Sequence, residues 1–204
     1  MVVMKKYCNK FTLVEILAVV ALIGILTAIG FGAYTYAMNS AKESSTKALI
    51  KRLESGLESC RTKFGYFPAT SSGTTRDFKR LRFTKNSTTQ LIDDIHIISS
   101  DGTNFFQFPA EMRQEFLKVV EGETLKKNLE RSGSNADILV DGWGGMIYYA
   151  YPGCINETGF DLVSAGPDGR FGNTSGGSAT PENTRNRYYD TSTNEKNCDD
   201  ITNF

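Results

Sequence analysis

At 204 residues the chain has room for one folded domain plus appendages, since a single hydrophobic core is well supported from about 100 residues upward. Lys plus Arg and Asp plus Glu balance at 23 each and the basic residues are scattered, so no electrostatic field points to nucleic acid as a partner. The four cysteines, Cys8, Cys60, Cys154 and Cys198, form no CxxC pair and have one histidine beside them, which argues against a zinc site of ordinary spacing and for disulfides outside the cytoplasm.

The first predicted element is a membrane span. Phe11 to Phe31 reads FTLVEILAVVALIGILTAIGF, about 21 residues with one charge, enough to cross a bilayer core at about 1.5 Å per residue. Lys5, Lys6 and Lys10 precede it, which predicts a cytoplasmic N-terminus and an exported remainder. The apolar run passes into a polar helical pattern without a small-residue cleavage site, unlike a secretory signal. Cys8 stands before the run, behind Lys-Lys-Tyr, where a lipoprotein signal needs an apolar stretch. Glu15 is the informative residue: an ionisable group in such a run costs on the order of 3 kcal/mol and needs a partner or a route to water. Snorkelling to the headgroups is the bland alternative, because Glu15 lies about 6 Å along a helix from Phe11.

Lys10-Phe11-Thr12-Leu13-Val14-Glu15-Ile16-Leu17 resembles the type III signal sequence of type IV pilins and pseudopilins, matching its F-T-L-x-E core; Lys10 stands where that family usually has Gly. The resemblance implies cleavage by a prepilin peptidase between Lys10 and Phe11, N-methylation of Phe11, and neutralisation of Glu15 by the terminal amine of a neighbouring subunit. The expected organisation is a leader over 1–10, the transmembrane half of the N-terminal helix over 11–36, and an extracytoplasmic head over 37–204 that includes the outer half of the helix.

From Ala37 to Gly65 the residues Ala48, Leu49, Leu53, Leu57, Cys60 and Phe64 recur at spacings of three and four, which predicts one amphipathic helix continuing the span and ending at Gly65 and Pro68. Residues 70–90 are polar and basic and read as a surface loop with a short helix at Asp77–Phe83. Leu91–Ile98 and Thr103–Phe108 read as a hairpin around Ser-Ser-Asp-Gly. Pro109 opens a helix with Met112, Phe116, Val119 and Val120 on one face, and Leu125 and Leu129 suggest another after Gly122. Ile138–Val140, Met146–Tyr151 and Phe160–Ser164 read as strands of a small antiparallel sheet covering the helix. The fold class is therefore α+β. Residues 170–198 carry almost no aliphatic side chains and read as a long loop that something must hold.

Asp141-Gly142-Trp143-Gly144 through Tyr148, Tyr149 and Tyr151, then Asp161-Leu162-Val163-Ser164-Ala165-Gly166-Pro167-Asp168-Gly169, resembles the C-terminal signature of the type II secretion major pseudopilin, with Gly142 in place of a Pro. Asp161, Ser164 and Asp168, with turn carbonyls such as that of Leu162, offer hard oxygen ligands, and Asp199 and Asp200 from the tail would complete a set suited to Ca²⁺. The resemblance also implies calcium in this loop. The plain alternative is that Asp168-Gly169 is only a turn and the terminal Asp pair is solvated. Cys154 and Cys198 bound the loose loop, and a bridge between them is expected, with Cys60 as a buried helix residue. His96, between isoleucines, has no nucleophile or ligand companion, and Trp143 and the tyrosines read as packing. The function expected is a structural subunit of a type II secretion pseudopilus, not an enzyme. Its expected partners are copies of itself, other pilin-like subunits, the prepilin peptidase, an inner-membrane assembly platform and membrane lipid. A type IV pilus subunit and an uncleaved, membrane-tethered binding domain are the rivals.

Overall fold

The computed structural model describes residues 12–70, 76–86, 88–89, 91–131, 136–172, 181, 188 and 198–204. It has an α+β architecture: one long N-terminal helix, α1 (Leu13–Phe64), and an antiparallel sheet. The chain divides into two compact units at Ser40 and Ala41.

In the first unit α1 is apolar all round. Leu13, Val14, Ile16, Leu17, Val19, Val20, Leu22, Ile23, Ile25 and Leu26 are each more than half exposed, so the stretch has no buried face among the described residues. The two threonines of this stretch turn inward: Thr27 Oγ1 donates to the Ile23 carbonyl at 2.7 Å and Thr35 Oγ1 to the Gly32 carbonyl at 3.0 Å. Long enough and apolar enough to cross a membrane, this segment meets the requirement of a span by length and composition.

In the second unit α1 becomes amphipathic. Leu49, Leu53, Leu57 and Cys60 are fully buried at the expected spacing, joined by Thr46 and Ile50, while Ala48, expected on that face, is exposed. The helix ends at Phe64 because Gly65 takes a positive φ of 83° and its N–H closes on the Arg61 carbonyl at 2.8 Å.

The remaining elements are β1 (Lys79–Lys85), β2 (Ile92–Ile98), β3 (Asn104–Gln107), α2 (Ala110–Val120), α3 (Glu123–Lys127), β4 (Leu129–Arg131), β5 (Ala136–Leu139), β6 (Ile147–Ala150), β7 (Asp161–Ser164) and β8 (Ile201–Thr202). Every pairing among them is antiparallel, in the order β3-β2-β1-β6-β7-β8, with β5 also on β1 and β4 on β5. The short helix expected at Asp77–Phe83 is corrected: that stretch enters β1, the strand that joins the two halves of the sheet. Leu81 and Phe83 alternate with Arg80, Arg82 and Thr84, a period of two that buries the first pair and leaves Arg80 and Arg82 on the other face. Residues 79–131 therefore contribute much of the sheet and both short helices. On α2, Met112, Phe116 and Val120 are buried and Val119 faces outward. Leu129, assigned to a helix from sequence, starts β4.

Strands β6 and β7 are buried on both sides, which suits the apolar and aromatic run of β6 and the Leu162-Val163 pair of β7, while Asp161 and Ser164 at the ends of β7 are buried polar groups. Tyr149 and Leu162 face the main core with α1 and α2. Their neighbours Tyr148 and Val163 join Ala165, Phe171 and Tyr188 in a second cluster on the opposite face.

Candidate functional site

At the head of α1, Thr12 and Glu15 form a reciprocal capping box. The Thr12 N–H and hydroxyl donate to Glu15 Oε2 at 2.7 and 2.8 Å, and the Glu15 N–H donates back to Thr12 Oγ1 at 3.3 Å. Two donors that the first turn of a helix leaves open are thus satisfied within four residues. The one carboxylate of the apolar stretch therefore holds hydrogen bonds from its own helix. Lys10 and Phe11, the expected processing site, lie outside the described residues.

In the head, the signature around Trp143 is organised by Asp141, which is 3% exposed. Its Oδ1 accepts the N–H groups of Trp143 and Gly145, both at 2.8 Å, and its Oδ2 accepts the Ser164 hydroxyl at 2.6 Å. The Ser164 oxygen in turn accepts the Gly166 N–H at 3.2 Å. The Gly142 N–H donates to Thr46 Oγ1 at 2.9 Å, which pins the loop to α1. Gly142 approaches α1 so closely that a Cβ there would lie 2.8 Å from the Lys42 carbonyl oxygen.

Asp161 holds the loop before it. Its oxygens accept the Ile155 N–H at 2.6 Å and the Asn156 N–H at 2.9 Å. Burial raises its pKa, and these N–H groups, with that of Cys154, pull the other way. The Leu162 carbonyl accepts the Asn203 N–H at 3.3 Å while the Leu162 N–H donates to Asn203 Oδ1 at 2.6 Å, so the C-terminus is laced to β7.

The six expected calcium ligands do not make one cage here. Asp161 is directed to the 154–156 backbone, Ser164 to Asp141, and Leu162 to Asn203. Asp168 is exposed and its Oδ1 accepts the Arg170 N–H at 2.8 Å, the local turn contact of the plain alternative. Asp200, far from solvated, is buried, and its Oδ2 accepts the Gly172 N–H at 2.7 Å. Asp199 lies against the Gly166–Asp168 turn: a Cβ on Gly166, whose φ is 68°, would sit 2.5 Å from the Asp199 carbonyl oxygen. Its Oδ1 is enclosed and has no hydrogen-bond partner among the described residues. Among the described residues no three His, Cys, Asp or Glu side chains converge as metal ligands. The donor set as placed does not fit a calcium ion, and Asp199 lines a cleft of about 480 Å³ together with Lys47, Lys51, Pro167 and Thr202.

Cys60 is a buried free thiol whose Sγ lies 3.7 Å from the Met112 carbonyl oxygen, and burial pushes its pKa up to about 11. Cys154 is buried in the loop that Asp161 braces, where desolvation and the Asp161 carboxylate push its pKa to about 12. Cys198 packs against the second apolar cluster, 3.6 Å from the Tyr188 carbonyl oxygen. Tyr149 is fully buried and its hydroxyl donates to the Pro68 carbonyl at 2.8 Å, a packing role as expected. From the sequence, Thr12 and Asp141 stand in the quoted motifs without a role of their own, and Thr46 and Asn203 are not singled out. The T-x-x-E spacing signals the first and the Asp-Gly turn chemistry the second; Thr46 and Asn203 act across the chain and leave no local trace. No family model, curated protein or solved structure matches the chain.

Proposed function

We propose that this protein is a pilin-like filament subunit, closest in design to the major pseudopilin of a type II secretion system. A prepilin peptidase removes residues 1–10, and the mature chain waits in the inner membrane with its head in the periplasm. Copies then assemble, with other pilin-like subunits and a membrane platform, through the apolar stretch of α1. The observation that carries this reading is a helical stretch, Leu13 to Leu26, exposed on all sides, within which the sole acidic residue, Glu15, sits at the first turn. Such a surface is insoluble in water and has two dry environments open to it, lipid and its own copies. Glu15 supplies a charge that a neighbour's terminal amine can meet, replacing the Thr12 contacts.

In this reading the head is held by the Asp141 and Asp161 networks, and an oxidised Cys154–Cys198 pair fastens its tail in the periplasm. Peptide mapping after alkylation without reductant should then yield those two cysteines joined. No step depends on calcium. The deciding experiment expresses the chain with a prepilin peptidase and platform and measures two things, intact mass and filament formation. A mature N-terminus at methylated Phe11, with filaments lost in Glu15→Val, supports the proposal. An uncleaved chain whose Glu15→Val variant behaves as the parent leaves a tethered binding domain instead.

A further inference from the structure

Resting on the reading of α1 as a membrane span, we infer that Phe31, Tyr34 and Tyr36 form a collar that binds the outer phospholipid headgroup layer and fixes the depth of the helix. The three rings are 67%, 63% and 79% exposed. At about 100° per residue, Phe31 and Tyr34 lie about 60° apart around the axis, while Tyr36 lies about 160° from Tyr34. Phe31 and Tyr34 alone would suit a packing seam, which repeats at three and four residues on one side, but Tyr36 within the same turn and a half points to the opposite side and breaks it. The three make a ring at one depth, the arrangement that suits amphipathic rings at a membrane boundary.

The spacing agrees with a bilayer. Leu13 to Phe31 rises about 27 Å, against a hydrocarbon core of about 30 Å. With Leu13 at one boundary, Tyr34 and Tyr36 fall about 2 and 5 Å beyond the other, where a phenol hydroxyl meets ester carbonyls and water. The chain turns polar directly afterwards, at Asn39 and Ser40. Between the two boundaries the polar side chains are already spent: Thr27 donates to its own helix, and at the opposite boundary Thr12 and Glu15 satisfy each other. The helix thus has a polar box at one end, an aromatic collar at the other and nothing polar left open between, which defines a single depth for an isolated subunit.

The test places one tryptophan at a time, as Tyr34→Trp, Tyr36→Trp or Leu22→Trp, in the full chain carrying Trp143→Phe. The protein is reconstituted in phosphatidylethanolamine and phosphatidylglycerol vesicles brominated either near the glycerol end or near the tip of the acyl chains. The expected result is at least about twofold stronger quenching by the shallow bromines at 34 and 36, and the reverse order at 22. The same substitutions in the chain that keeps Trp143, read as differences from that parent, make the result independent of any folding defect of Trp143→Phe. Release of the chain by alkaline carbonate would mean that the membrane reading itself has failed. A retained chain overturns the inference under any of three outcomes. Positions 34 and 36 follow the order of 22, or are quenched by aqueous iodide and by neither lipid, or change order with the protein-to-lipid ratio, the mark of a neighbouring copy as their cover.

Discussion

Replacing Asp141 by alanine strands three donors at once, the N–H groups of Trp143 and Gly145 and the hydroxyl of Ser164. A buried donor left without an acceptor costs roughly 1–3 kcal/mol. The turn residues 142–145 are partly exposed and can recover some hydration, so the expected loss for Asp141→Ala is about 3–4 kcal/mol. Asparagine is the discriminating variant. Its carbonyl oxygen can still accept both N–H groups, and its amide can donate to the Ser164 oxygen, which leaves only the serine proton unplaced, a loss of about 1 kcal/mol. For a domain of 150–250 residues these losses correspond to about 10 °C and about 3 °C in melting temperature. Thermal unfolding of the detergent-solubilised chain, followed by fluorescence of the adjacent Trp143, reads both. Equal losses for Ala and Asn, or a loss below about 1 kcal/mol for Ala, would refute Asp141 as the acceptor that organises the loop.

Three further perturbations test the head. Glu115 of α2 is held by Lys63, Lys118 and Ser59, which depress its pKa to about 2. A depressed carboxylate stabilises the fold above its unfolded pKa and stops doing so as pH falls through the folded value. The stability gap between the parent and Glu115→Gln should therefore be constant near neutrality and close between about pH 5 and about pH 2, and a gap that persists at pH 2 sinks the assignment. His96 is neutral-favoured by burial, an effect that the Arg82 charge adds to and Asp94 opposes. Because its folded pKa is depressed, the fold loses stability as pH drops below the unfolded value of about 6.5; His96→Gln should flatten that slope in urea titrations between pH 7.5 and 5. At Gly56, an added Cβ would meet Val120 Cγ2 at 2.4 Å and Phe116 Cδ2 at 3.0 Å. Gly56→Ala gains up to about 1 kcal/mol of helix propensity but overpacks by about 1–3 kcal/mol, and net stabilisation in urea unfolding would show that α1 and α2 are not packed at this point.

The parts of the fold that were legible in the sequence are those whose burial follows one local period. Leu49, Leu53, Leu57 and Cys60 announce the inner face of α1, and Met112 and Phe116 that of α2. Strand β1 was misread because Lys79, Arg80, Arg82 and Lys85 dominate its composition, although Leu81 and Phe83 carry the period of two. Its charges are accommodated by contacts that no local rule reveals: Arg80 donates to the Ser99 carbonyl at 2.9 Å and that of Ser100 at 2.6 Å, and Lys85 is paired with Asp137. The side chains of the candidate calcium set are, as placed, directed elsewhere for a similar reason. The sequence displays Asp161, Ser164 and Asp168 as a row of oxygens, yet the two carboxylates accept local backbone N–H groups and the Ser164 hydroxyl donates to Asp141, 23 residues away. Glu15 was legible because its anomaly is local, and Thr12 should have been read with it.

The capping box changes the energetics that the proposed assembly must satisfy. Moving α1 from lipid into a bundle of its copies exchanges one dry surface for another, so the hydrophobic effect supplies almost no driving force for that step. Nor is Glu15 an unsolvated charge demanding rescue, since two hydrogen bonds from Thr12 already meet it. A neighbour's amine must therefore compete with contacts worth roughly 1.5–3 kcal/mol each to an ionised acceptor. On that argument Thr12→Val should have opposite effects in two assays. It removes the hydroxyl and loosens the box, destabilising the isolated helix in the bilayer, and it leaves Glu15 more available to a partner. A variant inserted less stably yet cross-linked between subunits more efficiently than the parent is the expected pair of results. A fall in both would show that Thr12 acts in assembly itself and not as the contact that assembly displaces.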